Sequence, residues 1–402
     1  MTGPLEGVRV LDLSEGVAGP YCALELADGG ADVIKIERPA GDRARGWGTA
    51  GNGTLGAAFI HYNRNKRGIA VDTNTDAGVE IVQKLAAQAD VVVADAGWTG
   101  KKELQYDALG AANSKLIYTR FTMFGEDGPW ALRPPFGEMP AQLSAETYGS
   151  LGRIGQAPVR MATDLGSMYA AIYAVQGTCA ALIAQDTAGG QRVDVSLFGS
   201  LLAMRSTLWV ALSNPDEWWG FHLDSYTKAP DYGYRCKDGF IYMTVARASA
   251  EQREQMLKDL KLWPWVKEDP QWPLFSTDSA GGGGRYSAQV KHLWERGLAH
   301  FTREEAMEIV IRNGGWAFPK NDYDQLVNHP QSKAVGLTAE VEQAGVGKLR
   351  MQTPPFDFHG TPVGIRMGAP LLGQHNAEVL AEVGYSAADV TRLAGEGVLA
   401  SS

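Results

Sequence analysis

Asp164 stands directly before an apolar run in APVRMATDLGSMYAA (157–171), and a carboxylate in that place has two uses. With Thr163 it makes a good helix N-cap, its side-chain oxygen receiving one of the free amides of the first turn. Its other use would be chemical, and nothing in the surrounding spacing points to one. Two other stretches offer chemistry. GVAGP (16–20) follows a strand-like run and can form a tight turn facing a ligand, although it lacks the GxGxxG spacing of a dinucleotide site. NRNKRG (63–68) gathers Arg64, Lys66 and Arg67 near a strand start, where they could hold phosphate; a solvated face is the commoner fate of such a cluster. The histidines are scattered, and structural or surface roles are expected for His61, His222, His329 and His375. There is no GxSxG, P-loop, HExxH or Cys/His cluster, so no metal is expected. Spacing alone leaves the function open.

The elements that must position these residues follow from periodicity. GVRVLDLS, ADVIKIE, GIAVDTN, DVVVADA and SKLIYTRF are short apolar runs, separated by helical patterns such as YCALELADGG and DAGVEIVQKLAAQA. This alternation predicts an α/β fold with a parallel, doubly wound sheet, whose ligands bind at the carboxyl ends of its strands. The segment after Asp164 predicts a helix with Leu165, Met168, Tyr169, Ile172, Val175, Cys179 and Leu182 on its core side. From about 206 the character changes: seven tryptophans, from Trp209 to Trp294, crowd the next ninety residues around the strand GFIYMTV, which suggests a second, α+β domain. HNAEVLAEVGYS and SAADVTRLAGEG form a final helical region.

With 402 residues, two domains are the prior expectation. The net charge of -9 opposes a polyanionic partner, so no nucleic-acid partner is expected. No stretch is expected to cross a membrane, and Glu6 and Arg9 interrupt what a signal segment would need. Three widely spaced cysteines, Cys22, Cys179 and Cys236, fit a reducing compartment, and the expected location is the cytoplasm.

The combination GPLEGVRVLDLSEGVAGPYCALELADGGADVIKIERPAGD, FIHYNRNKRGIAVD, FGEDGPW, PVRMATDLGSMYAAIYAVQGTCAALIAQDTAGGQRVDVSLFGSLLA, NHPQSKAVG and APLLGQHNAEVLAEVGYS resembles the class III CoA-transferases, the CaiB/BaiF or formyl-CoA transferase family. The likeness covers nearly the whole chain and is weakest from about 205 to 320. It implies a Rossmann-like large domain made from 1–205 and a return segment within 321–402, a linker at 206–224, and a small domain at 225–320. It further implies an interlocked dimer, a homodimer or a heteromer with a homologous subunit. Asp164 then matches the family's catalytic aspartate, which forms an acyl anhydride with a donor acyl-CoA and an aspartyl-CoA thioester on the way to the acceptor's CoA ester. The resemblance places Glu138 near it as a second carboxylate, Val17 and Ala18 in the turn lining the thioester pocket, and Arg38 on the CoA phosphates, with Arg64, Lys66 and Arg67 as further phosphate candidates. Coenzyme A enters as a thioester substrate, with no tightly bound cofactor.

Departures from the family pattern bear on the substrate. Formyl-CoA transferases carry Gln where this chain has Val17, so the expected acceptor is larger and less polar than oxalate, with succinyl-CoA a plausible donor. The family's glycine-rich lid is replaced by SYTKAPDYGYRCKD, and GGGG (281–284) reads as a flexible loop. After Asp164 the glycine falls at 166 and Met168 at the family's glycine position, which alters the pocket floor. GWTGKKELQ replaces the usual arginine-containing turn. Related acyl-CoA racemases use a His near position 138, and no His occurs between His61 and His222. The alternatives are such a racemase or epimerase, separated by α-proton exchange, and a non-catalytic CoA-binding subunit whose Asp164 is only a cap.

Overall fold

The computed structural model describes residues 3–48, 55–131, 164–204, 233–245, 247–270 and 287–401. Glu138, His222 and the tetraglycine lie outside the described residues. The chain divides into two compact units. One takes the described residues within Met1–Tyr148, Arg160–Ser206 and Pro330–Ser402, and the other takes those within Thr207–His329.

Six strands make the sheet of the first unit: β1 (Arg9–Leu13), β2 (Asp32–Glu37), β3 (Lys66–Ala70), β4 (Val91–Ala94), β5 (Ile117–Thr122) and β6 (Gln191–Ser196). All neighbours pair in parallel, in the order β3-β2-β1-β4-β5-β6, with Leu11 in register with both Ile34 and Val92. Strands covered on both faces must be apolar at nearly every position, which is why they read as continuous runs. One face, carrying Leu11, Leu13, Ile34 and Val92, packs on α3 (Asp76–Ala86) through Ile81, Val82 and Leu85. The same cluster takes Val379, Leu380 and Leu393 from the end of the chain. The opposite face, carrying Val10, Val33, Val91 and Val93, packs on α1 (Ala18–Asp28) through Cys22, Ala23 and Leu26. β3 is an edge strand, and its outward amides are met by the C-terminal segment: Gly68 N–H donates to His375 Nδ1 at 2.9 Å, and Ala70 N–H to Asn376 Oδ1 at 3.0 Å.

The helix that follows Asp164 spans Leu165–Ala188 and is called α6 here, after α2 (Ala57–Asn63), α4 (Ala96–Thr99) and α5 (Tyr106–Ala112). Its core face is only partly the expected one: Tyr169, Val175, Cys179 and Leu182 pack on the cluster of α1 and the sheet and Met168 on that of Val17, but the deepest positions belong to small residues. Gly166, Ser167, Ala170, Ala171, Ala174, Thr178 and Ala181 are buried, whereas Ile172 is 45% exposed and Met168, Tyr169, Val175, Cys179 and Leu182 are only partly covered. Small side chains let the helix approach α1 and the sheet closely, and Thr178 Oγ1 meets Thr119 Oγ1 of β5 at 2.7 Å. At 24 residues α6 is also long and apolar enough to cross a membrane, contrary to the expectation of no such segment. Its buried small face against α1 and the sheet is that of a core helix. β6, which follows it, was not expected from QRVDVS because its charges sit on an edge strand that is exposed on one face.

The second unit is α+β. β7 (Tyr234–Cys236), β8 (Gly239–Thr244) and β9 (Trp316–Pro319) form an antiparallel sheet in that order. Ile241 and Met243 pack on Met256, Leu257, Trp294, Ile309 and Val310 from the helices Ala250–Asp259, Ser287–Leu298 and Arg303–Arg312. Ser249 with Gln252 and Thr302 with Glu305 close capping boxes that start two of these helices.

Candidate functional site

The strand order reverses at β1, since β2 and β3 lie on one side of it and β4, β5 and β6 on the other. The crevice beyond the carboxyl ends of β1 and β4 is therefore the place where such a sheet takes its ligand. The turn after β1 is GVAGP. Gly16 has φ +83°, in the left-handed region that a side chain resists. A Cβ at Gly19 would lie 2.1 Å from Ser14 Oγ, so only glycine lets α1 begin this close to the turn.

Beneath the turn is a buried ionic cluster. Asp12 of β1, Lys35 of β2, Lys66 of β3 and Asp42 all lie at 4% exposure or less. Lys66 Nζ donates to Asp12 at 2.8 Å, to the Pro20 carbonyl at 2.8 Å and to Asn63 Oδ1 at 2.9 Å. Lys35 Nζ donates to Asp42 at 2.9 Å and to the Ser14 carbonyl. Burial raises the pKa of the Asp12 carboxyl, but the two ammonium groups outweigh it and hold the group below its ordinary value. Burial likewise pulls Lys35 down, and Asp12 and Asp42 more than reverse it. Asp42 Oδ1 receives Gly16 N–H at 3.0 Å and Ala44 N–H at 2.8 Å, so one charge-locked carboxylate fixes both the turn and the 3-10 helix Arg43–Gly46.

The turn is joined to the loop after β4 by Asp95, whose Oδ2 receives Glu15 N–H at 2.7 Å and whose Oδ1 receives Gly97 N–H at 2.8 Å. Burial pushes this carboxyl up to about 6 despite those two donors. Arg38 crosses the same junction. Its Nη2 donates to the Gly97 carbonyl at 2.6 Å, Nη1 lies 3.6 Å from Glu15, and its guanidinium stands 5.1 Å from the Trp98 ring centroid, with 41% of the side chain left to solvent. It is thus a held but accessible cation in the crevice.

Asp164 is the N-cap residue of α6. Its carbonyl receives Met168 N–H at 3.0 Å, and its carboxylate makes no capping hydrogen bond to the helix. One turn on, Met168 packs against the cluster of Val17, Leu24 and Tyr62, with Tyr21 and Ala58 beside it. Val17 is the N-cap residue of α1, so α1 and α6 begin side by side and their positive ends converge on the turn. A site built this way offers a carboxylate with its side chain uncommitted to capping, two helix amino ends that favour developing negative charge, and a held arginine for an anionic group.

The structure brings Asp164, Val17, Ala18 and Arg38 to the carboxyl end of the sheet, and it corrects the three basic residues of NRNKRG. Arg64 Nη2 donates to Asp28 at 2.6 Å and is 1% exposed, and Lys66 is wholly buried in the cluster described above. Arg67, at the amino end of β3, binds Asp32 at 2.8 Å and Glu378 at 2.8 Å, away from the crevice. None of the three presents a free cation to a CoA phosphate; their charges neutralise buried or edge carboxylates. Sequence reading missed Asp12, Lys35, Asp42, Asp95 and Arg43. A charged residue inside an apolar strand run, as in VRVLDLS and DVIKIE, was the available signal for the first two.

The model for CoA-transferase family III matches residues 5–376. Among curated relatives, human succinyl-CoA:glutarate CoA-transferase is 30% identical, covering 94% of this chain and 86% of that protein. A subunit of succinyl-CoA:(R)-benzylsuccinate CoA-transferase from Thauera aromatica is 29% identical, covering 97% of each. Among solved structures, a CAIB/BAIF family protein from Brucella suis superposes with a TM-score of 0.80 at 27% identity, covering 95% of this chain and 100% of that one.

Proposed function

The chain belongs to CoA-transferase family III, and on that premise we propose that it carries CoA from an acyl-CoA donor, succinyl-CoA foremost, to a carboxylic acid acceptor with Asp164 as nucleophile. The relatives named as succinyl-CoA transferases support the donor. A carboxylate oxygen of Asp164 attacks the thioester carbonyl, the C–S bond breaks, and CoA leaves as the thiolate, giving an acyl-aspartyl anhydride. The thiolate returns to the aspartyl carbonyl and expels the donor acid, leaving an aspartyl-CoA thioester. The acceptor carboxylate attacks that thioester, forming a second anhydride, and the thiolate takes the acceptor acyl group and frees Asp164. Every step exchanges one activated acyl bond for another, so no phosphoanhydride is consumed.

In this reading Arg38 holds a CoA phosphate, Val17 and Ala18 line the thioester pocket, Glu138 is the second catalytic carboxylate, and the acceptor is less polar than oxalate. The assembly is an interlocked dimer, of like chains or with a homologous subunit, as the subunit naming of the Thauera relative suggests; native mass spectrometry of the purified protein decides it. One observation carries the proposal: the Asp164 carboxylate starts α6 without capping it, beside the amino end of α1. The test is incubation with succinyl-CoA and hydroxylamine. A hydroxamate on the peptide holding Asp164, and a loss of roughly 10⁴-fold or more in CoA transfer by Asp164→Asn, are expected. Wild-type turnover by the Asn variant would refute the nucleophile.

A further inference from the structure

Two arginines two residues apart, Arg43 and Arg45, have opposite fates in the 3-10 helix after Asp42. Arg45 turns inward, Nε and Nη2 each donating to Glu37 at 2.7 Å. Arg43 turns outward and is exposed. Among the described residues it makes no ion pair or hydrogen bond, and its guanidinium stands 5.6 Å from the Trp47 ring centroid. Its position is nonetheless fixed. A Cβ at Gly16 would lie 2.8 Å from Arg43 Nη2 and 3.0 Å from Nε, so the guanidinium lies across the Gly16 turn in the space that a side chain there would take. The backbone on both sides of this contact hangs from the Asp42 carboxylate, through Gly16 N–H and Ala44 N–H. The turn continues directly into Val17, which packs in one cluster with Met168 of α6. Arg43 is therefore a placed cation, unpaired among the described residues, on the same turn whose next residue packs against the helix that Asp164 begins. Arg38, which serves the other side of the turn, is already held by Gly97 and Glu15.

We propose that Arg43 receives the second, unreacting carboxylate of the acyl group, and so selects dicarboxylic over monocarboxylic substrates. A planar guanidinium with no ion pair or hydrogen bond among the described residues can pair with a carboxylate in two parallel hydrogen bonds, and on a chain of net charge -9 such a cation on this turn is the group that offsets repulsion of a dianion. The inference rests on the CoA-transfer reading, and it adds a residue and a substrate class to it.

The test is equilibrium binding of succinyl-CoA and of butyryl-CoA, which have the same chain length but differ in the terminal carboxylate. Titrations use the whole chain with Asp164→Asn, so that neither ligand turns over. Replacing Arg43→Gln in that background is expected to weaken succinyl-CoA by roughly 10- to 100-fold and to leave butyryl-CoA within about twofold. Arg43→Lys is expected to recover part of the loss. Equal weakening of both ligands would assign Arg43 to the CoA phosphates and overturn the proposal, as would no change in either. A wild-type chain that discriminates in binding but yields no aspartyl hydroxamate sinks the nucleophile reading alone.

Discussion

Replacing Asp95 with asparagine tests the junction of the ligand-facing loops by a quantity that the rest of the molecule cannot imitate. The Asp95 carboxyl is turned in against the Glu15 and Gly97 amides, and burial raises its pKa from 3.8 to about 6. For an acid raised on folding, the native state binds more protons than the unfolded chain between those two values. Its contribution to stability is complete below about pH 3.8 and is lost as the pH rises through about 6. The loss approaches about 3 kcal/mol. Asparagine does not titrate, so the stability difference between wild type and Asp95→Asn carries this group's linkage alone. The wild type should lose roughly 2 kcal/mol relative to the variant between pH 4 and pH 8, with nearly half of it gone by pH 5. Superimposed on that slope is a constant term, since an asparagine amide can accept from only one of the two N–H groups, at a cost of about 1–3 kcal/mol. Urea unfolding of both proteins at matched pH values measures it. A difference that stays flat from pH 4 to pH 8 would mean that the carboxyl is solvated and the junction is not held as described.

Two further outcomes follow from the packing. Lys66→Met leaves Asp12 and Asp42 facing Lys35 alone in a site closed to water, and should cost about 3–5 kcal/mol in urea unfolding; the double variant Lys66→Met with Asp12→Asn should recover a large part of it. Ala174→Leu places three extra carbons in the fully buried face between α6 and the sheet, and should cost about 1–3 kcal/mol, read as a lowered melting temperature. A neutral result at either position would contradict the burial assigned to it.

The legible part of this fold is the part that periodicity encodes. β1 to β5 and α1 and α3 lie where short apolar runs alternate with helical patterns, because a parallel sheet covered on both faces leaves little room for polar residues. The parts that were not legible each break that rule for a physical reason. QRVDVS alternates because β6 is an edge strand open on one face. α6 presents its small residues to the core because close approach to α1 outweighs the burial that Ile172 would gain, and a pattern that weighs side chains by hydrophobicity ranks those faces in the wrong order. The basic run NRNKRG was readable as charge but not as direction. Whether a lysine at a strand start faces water or the underside of a neighbouring turn depends on Asp12 lying across from it, a pairing between residues 54 apart that spacing does not reveal.

That same cluster bears on the question posed by Asp164. A helix-capping aspartate and a nucleophilic one occupy the same chain position, and they differ in where the carboxylate's lone pairs go. Capping would commit an oxygen to the first amides of α6, and the structure shows no such bond. The positive end of the α6 dipole is then joined by that of α1, whose start is fixed by Gly19 against Ser14 and by Met168 against Val17. Gly166 does not open this arrangement, because it is itself buried against the core, and Met168, where the resemblance leads one to expect glycine, packs in the cluster of Val17. Met168 is thus a packing contact that aligns the two helix starts. The ionic cluster beneath them holds the turn by charge, which keeps the two helix starts in place for the negative charge that the proposed transfer would develop.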